Sequence, residues 1–402
     1  MRRFNYKAKD KSTGKIVKGN IQAEDESTAG RLIIEQGYIP ETITEEGTGL
    51  FGLGGHVTNK DRITFTRQLA TLIGAGLPLA TSLRTVIEQT QSKPMRTIAE
   101  EILTNVEAGK TLYESFSLHK EVFNGVYLAL IKAGESSGTL DKALKRLADQ
   151  EEKDAALLSK IRGALVYPGI ILVVIIAVLV FMMTTVVPQV KNLYEDMGEE
   201  IPGLTQVLVS ISDFLGNFWW LILGILAAVI VGSFFFVKRT SAGRRIMDQI
   251  KIHTPIFGGL FRKLYVSRFA RTAEMMLATG VPMLDSISIA IDATSNVVIE
   301  EEYKKSLDII KGGKPLSEAL ADRQYMLPLV PQMSSIGEES GKIDEMLGKA
   351  AQVYENELDA QIAAISTMIE PILMVIMAGL IGVVIGGTLL PIYSLVNSVG
   401  AG

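Results

Sequence analysis

The sequence predicts a mainly α-helical integral membrane protein with two homologous cytoplasmic six-helix domains, three transmembrane helices and a small N-terminal α/β module. Three observations lead there. One stretch of charged, amphipathic helix is written twice, 204 positions apart; the apolar residues are gathered into three uncharged runs; and the opening residues alternate with a period of two.

The duplication is clearest where FTRQLATLIGAGLPL at 65–79 returns as FARTAEMMLATGVPM at 269–283. Phe65, Arg67, Gly76 and Pro78 fall on Phe269, Arg271, Gly280 and Pro282. Phe65, Leu69, Leu72 and Ile73 mark one face of a helix. Gly76 and Gly280 suit the left-handed conformation that ends a helix, and Pro78 and Pro282 cannot continue it but suit the start of the next. Further on, Gly109-Lys110 returns as Gly313-Lys314. At a shift of 203, GESSG at 134–138 returns as GEESG at 337–341, with Asp141 and Asp344 behind. A period this long means duplicated domains rather than a solenoid, whose repeats run to roughly 20–50 residues.

In chain order, residues 1–44 form the α/β module. Phe4, Tyr6 and Ala8 alternate with Asn5, Lys7 and Lys9 as a strand, a turn follows at 10–14, and a second strand spans 16–21. A helix carrying Ala29, Leu32 and Ile33 ends at Gly37, and Thr42-Ile43 is a last extended piece. Residues 45–60, with Gly47, Gly49, Gly52, Gly54 and Gly55, read as a flexible linker. Residues 61–167 are the first helical repeat, and its last helix carries a charged face over 142–154. The runs 168–187, 218–237 and 371–396 each reach the roughly 20 residues needed to cross a bilayer. Between the first two, 188–217 is expected to be a short acidic loop. The second repeat occupies 238–370, and 397–402 is an uncharged tail.

Orientation follows from Lys and Arg near the span ends. The loop at 188–217 holds Lys191 among Glu195, Asp196, Glu199, Glu200 and Asp213, whereas Lys238, Arg239, Arg244, Arg245 and Lys251 follow the second span. Both repeats and the N-terminus are therefore expected in the cytoplasm, with the acidic loop and the C-terminus outside. Phe4-Asn5-Tyr6-Lys7 is no apolar core, so no cleavable signal peptide is expected.

The chain has no cysteine, which excludes disulfides and thiolate chemistry, and His56, His119 and His253 lack ligand spacing. No catalytic, cofactor or metal site is expected, and the net charge of −4 gives no reason to expect nucleic acid. Ala108-Gly109-Lys110-Thr111 resembles the end of a phosphate-binding loop, but that loop needs glycine where Thr104 stands. The GESSG and GEESG segments admit two readings. As interhelical turns, Gly134 and Gly337 close one helix while Ser137 or Ser340 caps the next. As partner surfaces, Glu135, Glu338 and Glu339 are exposed carboxylates that no local rule requires. The four glycines Gly134, Gly138, Gly337 and Gly341 are assigned to backbone conformation. The spans hold no Asp, Glu, Lys, Arg or His, and Ala378, Gly382 and Gly386 form a small-residue stripe for helix packing.

Taken together, FNYKAKDKSTGKIVKGNIQA with GYIP, the duplicated FTRQLATLIGAGLPL, the paired GESSG and GEESG, and VPQVKNLYEDMGEEIPGLTQ closely resemble the type II secretion F-protein and type IV pilus inner-membrane platform family. The resemblance covers essentially the whole chain. Lys342 standing where the first repeat has Thr139, and the Met275-Met276 pair, are minor departures. The resemblance implies a non-enzymatic platform of the inner membrane. Its cytoplasmic domains would grip a hexameric assembly or retraction ATPase, and its spans would meet prepilins or pseudopilins, other machine subunits and lipid. It also implies at least a homodimer. A retractable pilus, a secretion pseudopilus and a DNA-uptake pilus all fit. A membrane transporter or channel component is the alternative, disfavoured by three spans without Asp, Glu, Lys, Arg or His.

Overall fold

A computed structural model describes residues 2–10, 16–23, 26–35, 37–45, 56–198, 201–255 and 257–399. Most of the glycine-rich linker expected at 45–60 (46–55), most of the first turn (11–15) and the end of the tail (400–402) lie outside these residues. The chain divides into two compact units, Met1–Val122 and Phe123–Gly402. That boundary falls inside the first repeat rather than at its end.

In the first unit, β1 (Arg2–Asp10), β2 (Ile16–Ala23) and β3 (Tyr38–Glu45) form an antiparallel sheet in the order β2-β1-β3, with α1 (Glu26–Glu35) between β2 and β3. The alternation places Ala8 and Ala23 in the interior, where Ala29 and Ile33 of α1 are also fully buried. The register slips between Lys7 and Ala8, opposite Pro40 of β3. Proline has no N–H for the ladder and is tolerated on such an edge strand at a bulge.

Among the described residues, four helices complete this unit: α2 (Asn59–Gly74), α3 (Leu79–Gln89), α4 (Lys93–Glu107) and α5 (Leu112–Ser117). Thr58 and Asp61 form a reciprocal capping box at the start of α2. Asp61 also accepts a hydrogen bond from Ser92 at 3.1 Å, which ties that end to the start of α4. Burial works to raise the Asp61 pKa, but the hydrogen bonds from Thr58 and Ser92 outweigh it and hold the group below its ordinary value. Phe65 and Leu69 are buried on the inner face of α2, and the Phe65 ring lies 6.3 Å from Phe116 of α5. At the end of α2, Gly76 has φ +85°. Its N–H donates to Ile73 O, and the Leu77 N–H donates to Leu72 O. This is the paired bonding of a left-handed helix cap.

The second unit opens with α6 (Gly125–Ser137) and α7 (Leu140–Phe181). A π-helical turn, Met182–Val186, joins α7 to α8 (Val187–Met197). Then come α9 (Gly203–Arg239), kinked at Phe218, and α10 (Ser241–His253). The second repeat continues through α11 (Phe257–Ala278), α12 (Met283–Ala293), α13 (Val297–Lys311), α14 (Leu316–Ala321), α15 (Leu329–Ser340) and α16 (Ile343–Val399). Its core gathers Phe269, Ala273, Ile287, Ile291, Tyr303, Leu320 and Leu347, all essentially inaccessible. Gly280 repeats the geometry of Gly76, with φ +83° and the Val281 N–H donating to Met276 O.

Among the described residues, three helical stretches are long and apolar enough to cross a membrane: Leu140–Asp196, Thr205–Arg239 and Ile343–Gly387. Their apolar side chains point outward, Val173 being 66% exposed, Trp219 60% and Val375 74%. The loop expected at 188–217 is corrected by the structure, which forms α8 and the first turns of α9 there. The reason is an apolar stripe, Val187, Val190 and Tyr194, spaced for a helix and buried. Met183, Val187, Leu208, Val209 and Val384 pack the three stretches together at this end. There Thr205 donates to the Gly387 carbonyl at 3.0 Å and Ser212 to that of Met183.

Candidate functional site

The two glycine-rich elbows are built differently from the turn that the sequence suggests. Gly134 and Gly337 lie inside α6 and α15 rather than closing them. The helices close at Gly138 and Gly341, with φ +70° and +71°. Gly134 and Gly337 serve close approach instead: a Cβ on Gly134 would sit 2.6 Å from Ala143 Cβ, and one on Gly337 would sit 2.7 Å from Ile343 Cα. Neither serine caps the following helix. Ser137 donates back to Ala133 O and Ser340 to Ile336 O, each within its own helix.

The three candidate carboxylates differ among themselves. Glu338 is partly buried in α15, and its Oε1 accepts from the backbone N–H of Leu316 at 2.5 Å and, more weakly, of Ser317 at 3.4 Å. Its Oε2 accepts from the Ser317 hydroxyl at 2.5 Å. A side chain 22 residues away thus caps the N-terminus of α14, where Pro315 supplies no side-chain cap of its own. No local rule calls for a carboxylate at Glu338; the fold supplies the need. Glu135 is also partly buried, in α6, whereas Glu339 is exposed. Glu338→Ala should therefore lower stability by about 1–3 kcal/mol, the cost of removing a charged acceptor from buried N–H groups. Loss of helical circular dichroism on heating measures it, and an unchanged melting curve would contradict the cap.

Gly109-Lys110-Thr111 is a helix end followed by a helix start. Gly109 has φ +87° after α4, and Thr111 forms a capping box with Glu114 on α5. Gly313, after α13, has φ +85° and the same bonding, with the Lys314 N–H donating to Ile309 O. Both matched turns are accounted for by backbone geometry. Among the described residues, no group of three or more His, Asp or Glu side chains is placed to hold a metal.

A second constellation lies where α7, α11 and α16 meet. Arg271 of α11 grips Glu355 of α16 as a fork, Nε to Oε1 and Nη2 to Oε2, both at 2.9 Å. Glu274 lies 3.7 Å from both Arg271 and Arg146, the latter on α7. Lys153 approaches Glu355 at 3.9 Å, and Lys160 pairs with Asp359 at 2.7 Å. Lys153, Lys160, Glu355 and Asp359 line an open cleft of about 200 Å³ with Asp154 and Arg268. Burial pushes the Glu274 pKa up, against the pull of the Arg271 and Arg146 charges. Burial also works against the Arg271 charge, but Glu355 and then Glu274 raise its pKa beyond the ordinary arginine value. The Lys160–Asp359 pair is half exposed and adds little; the fork, with both side chains mostly buried, is the firm link. Sequence reasoning does not single out Arg271 and Glu355 as a pair. A signal exists, since Arg67 and Glu152 stand at the matching positions of the first repeat.

Below this seam, α7 and α16 run on without a break through Pro168 and Pro371 into the apolar stretches. Ala378 and Gly382 are exposed on α16, and Gly386 is partly covered. A Cβ at Gly382 would meet nothing within 4 Å.

Comparison with known proteins follows the same outline. The family model for type II secretion system protein F matches twice, over 65–188 and 269–391, and that for its N-terminal domain matches 1–44. A type IV pilus assembly protein PilC of Thermus thermophilus is 37% identical over 402 residues, covering 98% of both chains. The PilC of Myxococcus xanthus is 34% identical, over 98% of this chain and 95% of its own. A type II secretion system protein F of Vibrio cholerae is 30% identical, over 99% of both.

Proposed function

We infer that this chain, which belongs to the type II secretion system protein F family, is the inner-membrane platform of a type IV pilus or type II secretion machine. In this reading it couples a cytoplasmic assembly ATPase to the extraction and polymerisation of pilins or pseudopilins. The observation that carries it is mechanical. Helices α7 and α16 each extend from a charged, packed base into an apolar stretch without interruption, and Arg271 fastens α11 to α16 at that base. A push on the base therefore reaches the membrane segments through helices that stay helical although Pro168 and Pro371 each remove one hydrogen bond from the ladder.

The ATPase contact is assigned to the elbows, with Glu339 as the foremost residue because it is exposed; Glu338 and Glu135 stand behind it, partly buried. Glu339→Lys in the full-length membrane protein should leave thermal stability as it is. It should reduce retention of the cognate ATPase on the immobilised protein, with a difference that narrows as salt is added. Equal retention by variant and wild type would remove Glu339 from the contact. A cell lacking the chain should hold its pilins in the membrane and make no filament.

In the same reading both repeats and the N-terminus are cytoplasmic, α8 and the C-terminus are outside, and the exposed Ala378–Gly382 face of α16 meets a second copy. The absence of native cysteine makes these points accessible to single-cysteine labelling. An impermeant maleimide added from outside should label a cysteine at Asp196 and spare one at Lys311. A cysteine at Gly382 should crosslink two copies. Labelling at Lys311 would reverse the topology, and the absence of any Gly382 crosslink in membranes would discard the dimer face.

A further inference from the structure

Helix α10 starts immediately after the second apolar stretch, and one side of it is left uncovered. Asp248 and Ile252 are buried, 3% exposed each, and fix it to the second repeat: Asp248 accepts from the Val297 N–H at 3.1 Å, and its carbonyl from Asn296. On the other side Ile246 is 50% exposed, Met247 36% and Ile250 54%. At helical spacing these three form one apolar stripe, with Arg244 on one edge beside Lys251, which pairs with Asp248 at 2.9 Å, and Arg245 on the other, which pairs with Glu301 at 3.0 Å.

Its height on the molecule is set by the junction with α9. Thr240 has extended φ/ψ, so the chain turns there, and a Cβ on Gly243 would overlap the Phe236 carbonyl. The first turn of α10 therefore lies against the last turn of α9. That last turn carries its own boundary marks: Lys238 Nζ stands 4.5 Å from the Phe234 ring centre and the Arg239 guanidinium 5.5 Å from that of Phe235. A cation folded back over an aromatic ring beside an apolar helix end is the arrangement of a membrane–water interface.

We propose that α10 is an interfacial helix, with Ile246, Met247 and Ile250 inserted among the acyl chains of the leaflet where α9 ends, and Arg244, with Lys238 and Arg239, on the phosphates of anionic lipid. The occupant is lipid rather than a soluble partner because the stripe starts beside the end of the exposed apolar α9, where Lys238, Arg239 and Arg244 gather positive charge. The helix then fixes the second repeat to the membrane surface at a point separate from α16. The proposal rests on the reading of α9 as membrane-spanning.

The test uses the full chain in vesicles of phosphatidylcholine and phosphatidylglycerol whose acyl chains are brominated both near the carbonyl and near the terminal methyl. A bimane fluorophore is placed on single cysteines at Val229 in α9, Ile250 in α10 and Lys311 in α13. Emission should be largely lost at Val229 and Ile250 and kept at Lys311. Arg244→Glu should weaken the quenching at Ile250 in anionic vesicles and leave Val229 unchanged. If Val229 is quenched and Ile250 behaves like Lys311, the interfacial helix is overturned while the span stands. It is overturned equally if Ile250 is shielded only by a second copy, seen as quenching between labelled chains. If Val229 itself keeps its emission, the span and the proposal fall together.

Discussion

Gly337→Ala is expected to destabilise the second repeat by about 1–3 kcal/mol, as overpacking of a tight core does. The added Cβ would stand 2.7 Å from Ile343 Cα, 3.2 Å from Ile343 N and 3.3 Å from Lys342 O. All three neighbours are backbone, so no side-chain rotation relieves the clash, and α15 must move away from the start of α16. That movement also carries Glu338 away from α14, whose N-terminus it caps. The better helix propensity of alanine offsets roughly 0.5–1 kcal/mol of this. Gly341→Ala probes a different cost. Its φ of +71° disfavours a side chain, but nothing lies within 4 Å of the new Cβ, so a smaller loss is expected. Thermal unfolding of both variants in detergent, followed by helical circular dichroism, separates the two costs. A Gly337→Ala protein as stable as wild type would mean that the two helices have room at this elbow.

Removing the fork should cost more. Arg271→Ala leaves the Glu355 carboxylate without its two 2.9 Å hydrogen bonds and takes from Glu274 one of the two arginines beside it. Arg271 and Glu355 are only 14% and 23% exposed, so water replaces little of what is lost. A loss of about 2–4 kcal/mol is expected, somewhat below that for breaking a fully buried pair. Lysine should restore only part of it, since a point charge cannot hold both carboxylate oxygens in the plane of a fork.

The pH dependence of that loss has a definite sign. Burial already raises the Glu274 pKa in the folded protein, so its stability contribution is greatest below the ordinary carboxylate range and is lost as pH rises through the folded value. Without Arg271 that burden grows. The gap between variant and wild type should therefore widen from mildly acidic to neutral pH. A gap under about 0.5 kcal/mol, the scatter of surface substitutions, would show that the fork is not a structural link.

How much of this is legible in the sequence depends on the range of the interaction. The helix ends at Gly76 and Gly280 can be read directly, because a left-handed cap followed by proline is a property of adjacent residues. The apolar stretches are legible for the same reason: length and composition decide them. The helical character of 188–217 is also written locally, in the spacing of Val187, Val190 and Tyr194, but the charged residues between them favour a loop reading. Gly134 and Gly337 stand out in the sequence for the wrong reason. Glycine tolerates both a left-handed turn and the close approach of another helix, and one sequence does not say which use is made of it.

By itself the sequence determined the duplicated helical plan, the three apolar stretches, the small N-terminal sheet and the resemblance to a family that full-length relatives then bore out. All of these depend on residues near one another in the chain, or on the chain's likeness to itself. Only the tertiary structure decided that Glu338 caps a helix 22 residues earlier, that Arg271 holds Glu355 across 84 residues, and that α10 keeps an apolar stripe uncovered. Those facts depend on how helices dock. Which side chains meet, and which are left without a neighbour, is set by the packing of whole helix faces rather than by any local preference.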